Sequence, residues 1–253
     1  MKKYPKFLFA DLDDTLFQSR EKCDPNAALK PAAYLKDGAA ISFTTAAQRA
    51  FFEFAQDGMT VIPATARNLN AFSRVDLPFD SWAVLDYGGI VLRPDRSVDQ
   101  TWLARMRGAM QAALPGLREL AGLIDDYAER TGFKGRARLI EDMDTPFYLV
   151  VKDPDKVAAR LAPIEHDVVQ PWIDGGHADY FIHRNGNNLA ILPVALNKAH
   201  AVAYVSEQLR ADHGDILTFG IGDSRSDARF MAACDYAIIP RRSQLAGLAL
   251  EPL

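Results

Sequence analysis

The stretch Lys6-Phe7-Leu8-Phe9-Ala10-Asp11-Leu12-Asp13-Asp14-Thr15 decides how the rest of the chain is read. Lys6–Leu12 is a compact apolar run that predicts a strand covered on both faces, and it runs straight into Asp11, Asp13 and Asp14. Carboxylates packed this closely are costly: two unit charges ~4 Å apart repel by about 4 kcal/mol at an effective dielectric of 20. A divalent cation removes that cost. Hard oxygen donors with no His or Cys nearby favour Mg²⁺. Taken alone, the stretch also fits a solvated acidic loop.

The remaining apolar runs work against that plain alternative. Thr60–Thr65, Ser81–Asp86 and Ile216–Ile221 predict further short buried strands, each ending in a polar or glycine cluster. Helical patterns separate them. Ala46–Gln56 places Ala50, Phe51 and Phe54 on one face and stops at Gly58, and Ala199–Arg210 carries Val202, Val205 and Leu209 at helical spacing. Strands alternating with helices predict an α/β fold built on a doubly wound parallel sheet. Ligands in such sheets bind at the carboxyl ends of the strands. There the chain delivers Asp11, Thr65-Ala66-Arg67 and Gly222-Asp223-Ser224-Arg225-Ser226-Asp227, while Lys198 stands just before the helix leading to the last strand.

Between Tyr87 and Ala190 the rhythm changes. Helical stretches are expected at Thr101–Leu114 and Gly116–Arg130, with strands at Arg138–Glu141, Phe147–Lys152, Val168–Ile173 and Tyr180–His183. This predicts an α+β module at 87–190 inserted into a host made of 1–86 and 191–253. Residues 18–45 form a smaller decoration, with Asp37-Gly38 as a hairpin signal.

The totals narrow the classes. With 29 Lys plus Arg against 33 Asp plus Glu, the net charge of −4 argues against a general nucleic-acid or anionic-membrane binder. The two cysteines, Cys23 and Cys234, have no zinc-type spacing and suit reduced thiols. The N-terminal apolar run is too short for a signal peptide, and nothing approaches a membrane span, so a cytoplasmic location is expected.

These residues resemble a known family. Asp11-Leu12-Asp13-Asp14-Thr15 is similar to the DxDx[T/V] first motif of the haloacid dehalogenase superfamily, Thr65 to its second, Lys198 to its third, and Gly222-Asp223-Ser224-Arg225-Ser226-Asp227 to its acidic fourth. The order and spacing of all four agree. The resemblance implies a Rossmann-like core and a Mg²⁺-dependent phosphoric monoester hydrolase. In it Asp11 attacks phosphorus and Asp13 serves as general acid and base. Thr65, Ala66 and Arg67 face the phosphoryl group and Lys198 neutralises charge. Asp11, Asp13, Asp223 and Asp227 surround the metal.

An insertion between the second and third motifs resembles the C2-type cap of sucrose-phosphate, trehalose-phosphate and Cof-like sugar phosphatases. His183, Arg184, Asn187 and Asn188, with Lys152, are then the cap's candidate substrate contacts. A small phosphorylated metabolite is the expected partner, and a homodimer is left open. Three other readings stand beside this one: a phosphosugar mutase, a non-catalytic binder of a phosphorylated ligand, and a response-regulator receiver. The receiver fits least, because it lacks the insertion and carries its phosphorylated Asp after a later strand.

Overall fold

The computed structural model describes residues 4–249. The chain divides into two compact units, Met1–Leu103 with Asn197–Leu253, and Ala104–Leu196. The first division thus falls after residue 103, later than the 87 expected from sequence. The reason is local. Ile90–Leu92 folds back as an antiparallel partner of Ala83–Leu85, and the Trp102 indole N–H donates to the Gly88 carbonyl at 2.9 Å.

The first unit is built on a parallel sheet in the order Tyr236–Ile238, Leu217–Ile221, Lys6–Ala10, Thr60–Pro63. Leu8, Phe9 and Ala10 are completely buried at its centre. Burying a Leu or Phe side chain stabilises by about 1.5–3 kcal/mol, which fixes the central strand firmly. Its register places Ala10 level with Ile221 on one side and Pro63 on the other. The chain leaves all three strands at one edge. The Asp11 N–H still donates to the Ile221 carbonyl at 2.9 Å, and the Ala64 N–H to Ala10 at 2.8 Å.

Ala64 bridges in parallel to Val84, continuing the sheet into the Ala83–Leu85 and Ile90–Leu92 hairpin. The turn of that hairpin holds Asp86, Tyr87 and Gly88 at φ of 50°, 56° and 101°. The helix Ala46–Gly58 begins with a capping box between Thr45 and Gln48, a device for which an N-cap alone contributes about 1 kcal/mol. Its packed face runs through Phe52 and Ala55, whereas Phe54, expected to face inward, is 70% exposed. The decoration after Asp11 is a three-stranded antiparallel sheet of Gln18–Ser19, Ala40–Thr44 and Lys30–Tyr34, with Gly38 in the hairpin turn at φ 85°.

The second unit carries a four-stranded antiparallel sheet in the order Tyr180–Asn185, Asn188–Pro193, Thr145–Val151, Arg138–Asp142. Leu149, Val151, Leu189 and Ile191 pack with helical Leu117, Leu120, Ile124, Leu161, Ile164 and Trp172. Two expectations change here. The two helices expected around Pro115 are one, Gln100–Thr131. An interior proline costs about 3 kcal/mol, and the buried row Ala113, Leu117, Leu120, Ile124 passes straight through it to offset that cost. The strand expected at Val168–Ile173 is helical instead, with a π-turn at Glu165–Val169 followed by a helix at Gln170–Asp174. Its β-branched run suggested a strand, but Leu161, Ile164, Val169 and Trp172 bury one helical stripe, and Pro171, which has no N–H to donate, comes just after the π-turn. Among the described residues, no helix is long and apolar enough to cross a membrane.

Candidate active site

Lys198 is the first residue of the helix Lys198–His213, where Asn197 caps the N-terminus through its side chain at 2.9 Å from the Ala199 N–H. A buried lysine needs anionic partners, and this one has two. Its Nζ lies 2.6 Å from Asp11 Oδ1 and 2.7 Å from Asp227 Oδ1, with all three side chains less than a tenth exposed. Gly88 makes this position reachable: a Cβ there would stand 2.6 Å from the Asn197 carbonyl oxygen, so the backbone beside Lys198 can come close only to a glycine.

The acids come from two loops. Thr15 Oγ1 donates to the second oxygen of Asp11 at 3.1 Å. Asp227 opens the helix Arg225–Met231 in a capping box, its Oδ2 accepting from the Ser224 N–H at 3.1 Å and the Ser224 hydroxyl at 2.6 Å. Gly222 lets the loop pass, since a Cβ on it would meet the Asp227 Cβ at 2.4 Å. Asp223 completes the group: one oxygen each from Asp11, Asp223 and Asp227 lie within 4.8 Å of one another.

Three carboxylates against one ammonium leave an excess of negative charge. Burial drives the Asp11 carboxyl well above the usual carboxylate range, Asp227 and Asp223 add to this, and Lys198 opposes it. Asp223 is pushed up to about 7, first by burial and then by Asp227 and Asp14. Burial also opposes charge on Asp227, but the Lys198 ammonium and the Ser224 hydrogen bonds outweigh it and hold the group below its ordinary value. Lys198 is raised for the reciprocal reason: burial works against its charge and the two carboxylates overcome it. An all-oxygen donor set with unbalanced negative charge fits a hard divalent cation such as Mg²⁺.

Asp13 behaves differently. Its side chain is 45% exposed, and both of its oxygens are taken by Arg67, from Nε to Oδ2 at 2.7 Å and from Nη2 to Oδ1 at 2.8 Å. Arg67 also donates to Ser42 Oγ at 3.3 Å, and its guanidinium lies 4.9 Å from the Phe17 ring centroid. Thr65 is buried, and its hydroxyl accepts from the Arg67 N–H at 3.1 Å. Ala66 lies half-buried between them. Asp14 is a turn residue at φ 64° that pairs with Lys22.

The candidates in the second unit do not form one group. His183 pairs with Ala190, and Ala190 with Val150, so His183 shares a sheet face with Val150 and, two residues along its partner strand, with Asn188; Lys152 lies just past the end of the strand that carries Val150. Arg184 projects from the opposite face, where it binds Glu165 at 2.8 Å and the Ala158 carbonyl. Asn187 sits in the hairpin turn and exchanges two hydrogen bonds with the Asp153 backbone, at 3.0 and 2.8 Å.

Sequence reasoning missed Thr15, Ser224 and Tyr87. Tyr87 is buried, and its phenol is raised above the ordinary value first by burial, then by the charges of Asp11, Asp227 and Asp13. The Asp86-Tyr87-Gly88-Gly89 cluster directly after a strand was the signal that could have assigned Tyr87 to the host site.

The parallel sheet, interrupted by an inserted α+β unit, is an α/β fold that the chain shares with solved structures. Among solved structures, the chain is similar to the sucrose-phosphatase of Synechocystis sp. PCC6803, seen with sucrose and phosphate, at a TM-score of 0.55 and 16% identity over 97% of this chain and 86% of that one. It is also similar to the C-terminal domain of the C. albicans trehalose-6-phosphate phosphatase, at a TM-score of 0.51 and 11% identity over 91% of this chain and 74% of that one. At these identities the likeness is one of fold. No family model and no curated protein sequence matches the chain.

Proposed function

We propose that the protein is a Mg²⁺-dependent phosphatase acting on a small phosphorylated metabolite, a sugar phosphate above all, through a phosphoryl intermediate on Asp11. The observation that carries this reading is the buried Asp11–Lys198–Asp227 cluster at the sheet edge, with Asp223 beside it. Phosphate monoesters resist water so strongly that acceleration can reach ~10²¹-fold, and two easier displacements are a workable route.

In the first, an Asp11 oxygen forms a bond to phosphorus as the ester P–O bond breaks, and the Asp13 carboxyl gives its proton to the departing oxygen. In the second, water attacks phosphorus, Asp13 takes a proton from it, and the Asp11–phosphorus bond breaks to release inorganic phosphate. Thr65, with the backbone around Ala66, holds phosphoryl oxygens. Lys198 opposes protonation of Asp11 and directs its carboxyl, and Asp227 fixes Lys198 in turn. Asp11, Asp223 and the Asp13 carbonyl would hold Mg²⁺, which would supply positive charge to the transferring group. The Asp227 oxygens are already engaged by Lys198 and Ser224, so Asp227 serves the metal mainly through its neighbours.

The second unit is a substrate-selecting cap in this reading. His183 and Asn188 share one face of its sheet and, with Lys152 just past a neighbouring strand's end, are its foremost contacts, whereas Arg184 and Asn187 hold the cap's own structure. The reading suits a soluble cytoplasmic enzyme. Its test is phosphate release from a panel of sugar phosphates, nucleotides and phosphoglycerates, with Mg²⁺ and with EDTA. Release that needs Mg²⁺ and is greatest for sugar phosphates is expected. Phosphate moved to another carbon would favour a mutase, and tight binding without turnover a binding protein.

A further inference from the structure

Arg67 holds the Asp13 carboxylate in a fork, and the fork is itself anchored on several sides. Its guanidinium is 15% exposed, rests near the Phe17 ring and reaches Ser42, a buried residue of the three-stranded decoration. Its own N–H is tied to Thr65. A carboxyl that is 45% exposed would otherwise sample several rotamers. Proton transfer demands a donor within about 2.6–3.2 Å of its target, so an unheld Asp13 would spend most of its time misdirected. A bidentate guanidinium is the side chain best able to fix both position and plane.

We propose that Arg67 is the positioning residue for Asp13, and that Ser42 steadies Arg67, so that a surface decoration outside the motif loops sets the direction of the acid and base. The inference rests on the phosphatase reading given above. When the ester bond breaks, the Asp13 proton passes to the leaving oxygen while Asp11 bonds to phosphorus. In the first step that proton sits on an oxygen that has left the fork while the other oxygen still accepts from Arg67; the two-armed fork, with both oxygens accepting, is the form that takes a proton from water in the second step.

The dependence on leaving group separates this role from others. Phenyl phosphate needs its departing oxygen protonated far more than p-nitrophenyl phosphate does. A general acid contributes about 10²–10⁴-fold where it is needed. Arg67→Ala should therefore lower kcat/KM on phenyl phosphate by about 100-fold and on p-nitrophenyl phosphate by only a few-fold. Arg67→Lys, which keeps the charge without the fork, should fall between. Added guanidinium ion should restore Arg67→Ala on phenyl phosphate at least about tenfold. Ser42→Ala should show the same selectivity at about three- to tenfold. In an Asp13→Ala background, Arg67→Ala should cost nothing more.

Equal losses on both esters would overturn the inference in favour of a merely structural arginine. A loss confined to KM on both would overturn it in favour of a phosphate ligand. A wild type that, with Mg²⁺, hydrolyses neither these esters nor any member of the sugar-phosphate, nucleotide and phosphoglycerate panel would instead remove the phosphatase reading on which the inference stands.

Discussion

Two ion-paired groups lie at the same sheet edge and differ in their relation to water. Lys198 with Asp11 and Asp227 is enclosed, with side chains 5%, 8% and 2% exposed. Arg67 with Asp13 is half open, at 15% and 45%. The enclosed group is stabilised by mutual charge and cannot lose a member cheaply, because the survivors would stay buried and uncompensated. The open pair gains little from charge, since water screens it, and what it provides is direction. One group therefore holds charge in place, and the other holds an angle.

The largest effect that could break this contrast is thermodynamic. Lys198→Ala should destabilise the metal-free protein by about 3–5 kcal/mol in urea unfolding, and Mg²⁺ should recover part of the loss. A loss below about 1 kcal/mol would show that the cluster is better solvated than its burial implies.

The next effect sharpens the electrostatics. In the folded, metal-free protein the Asp223 group is raised from 3.8 to about 7, so between those pH values the fold holds a proton that the unfolded chain has released. Stability from this group is then greatest at low pH and declines as pH rises towards about 7. A bound cation needs the carboxylate, so Mg²⁺ affinity should run the opposite way, rising by up to about tenfold per pH unit and levelling near neutrality. Calorimetric titrations from pH 5 to 8 would read it; a flat profile would remove Asp223 from the cation site.

The smallest effect belongs to the open pair. Asp13→Asn should change unfolding stability by no more than about 1 kcal/mol while abolishing most turnover of poor leaving groups. Thermal unfolding in parallel with kinetics checks both halves.

What could be read from sequence follows the same division. Asp11, Thr65 and Asp223 were legible because each follows an apolar run, and the sheet brings such ends together whatever lies between; Lys198 was legible because it opens the helix leading into the Leu217–Ile221 strand. The Arg67–Asp13 fork joins residues 54 apart by side-chain reach alone, and no periodicity encodes it. Tyr87 was hidden because a left-handed turn of three residues brings it back towards the host, and only Gly88 in that turn announces such a conformation. In the inserted unit, strand alternation already separates His183 from Arg184, yet which face meets the helices depends on packing partners far along the chain. The stretch 165–174 misled for a related reason: its β-branched residues favour a strand locally, and tertiary burial of a helical stripe overrides them.

The central claim is that one Asp11 oxygen takes the phosphoryl group. The most direct measurement is rapid-quench mass spectrometry of the wild type and of Asp11→Asn during turnover of p-nitrophenyl phosphate with Mg²⁺. A phosphoryl adduct should map to Asp11 in the wild type, and the variant should show no adduct and a rate at least about 10³-fold lower. An Asp11→Asn protein that turns over at the wild-type rate, or an adduct on another residue, would contradict that claim.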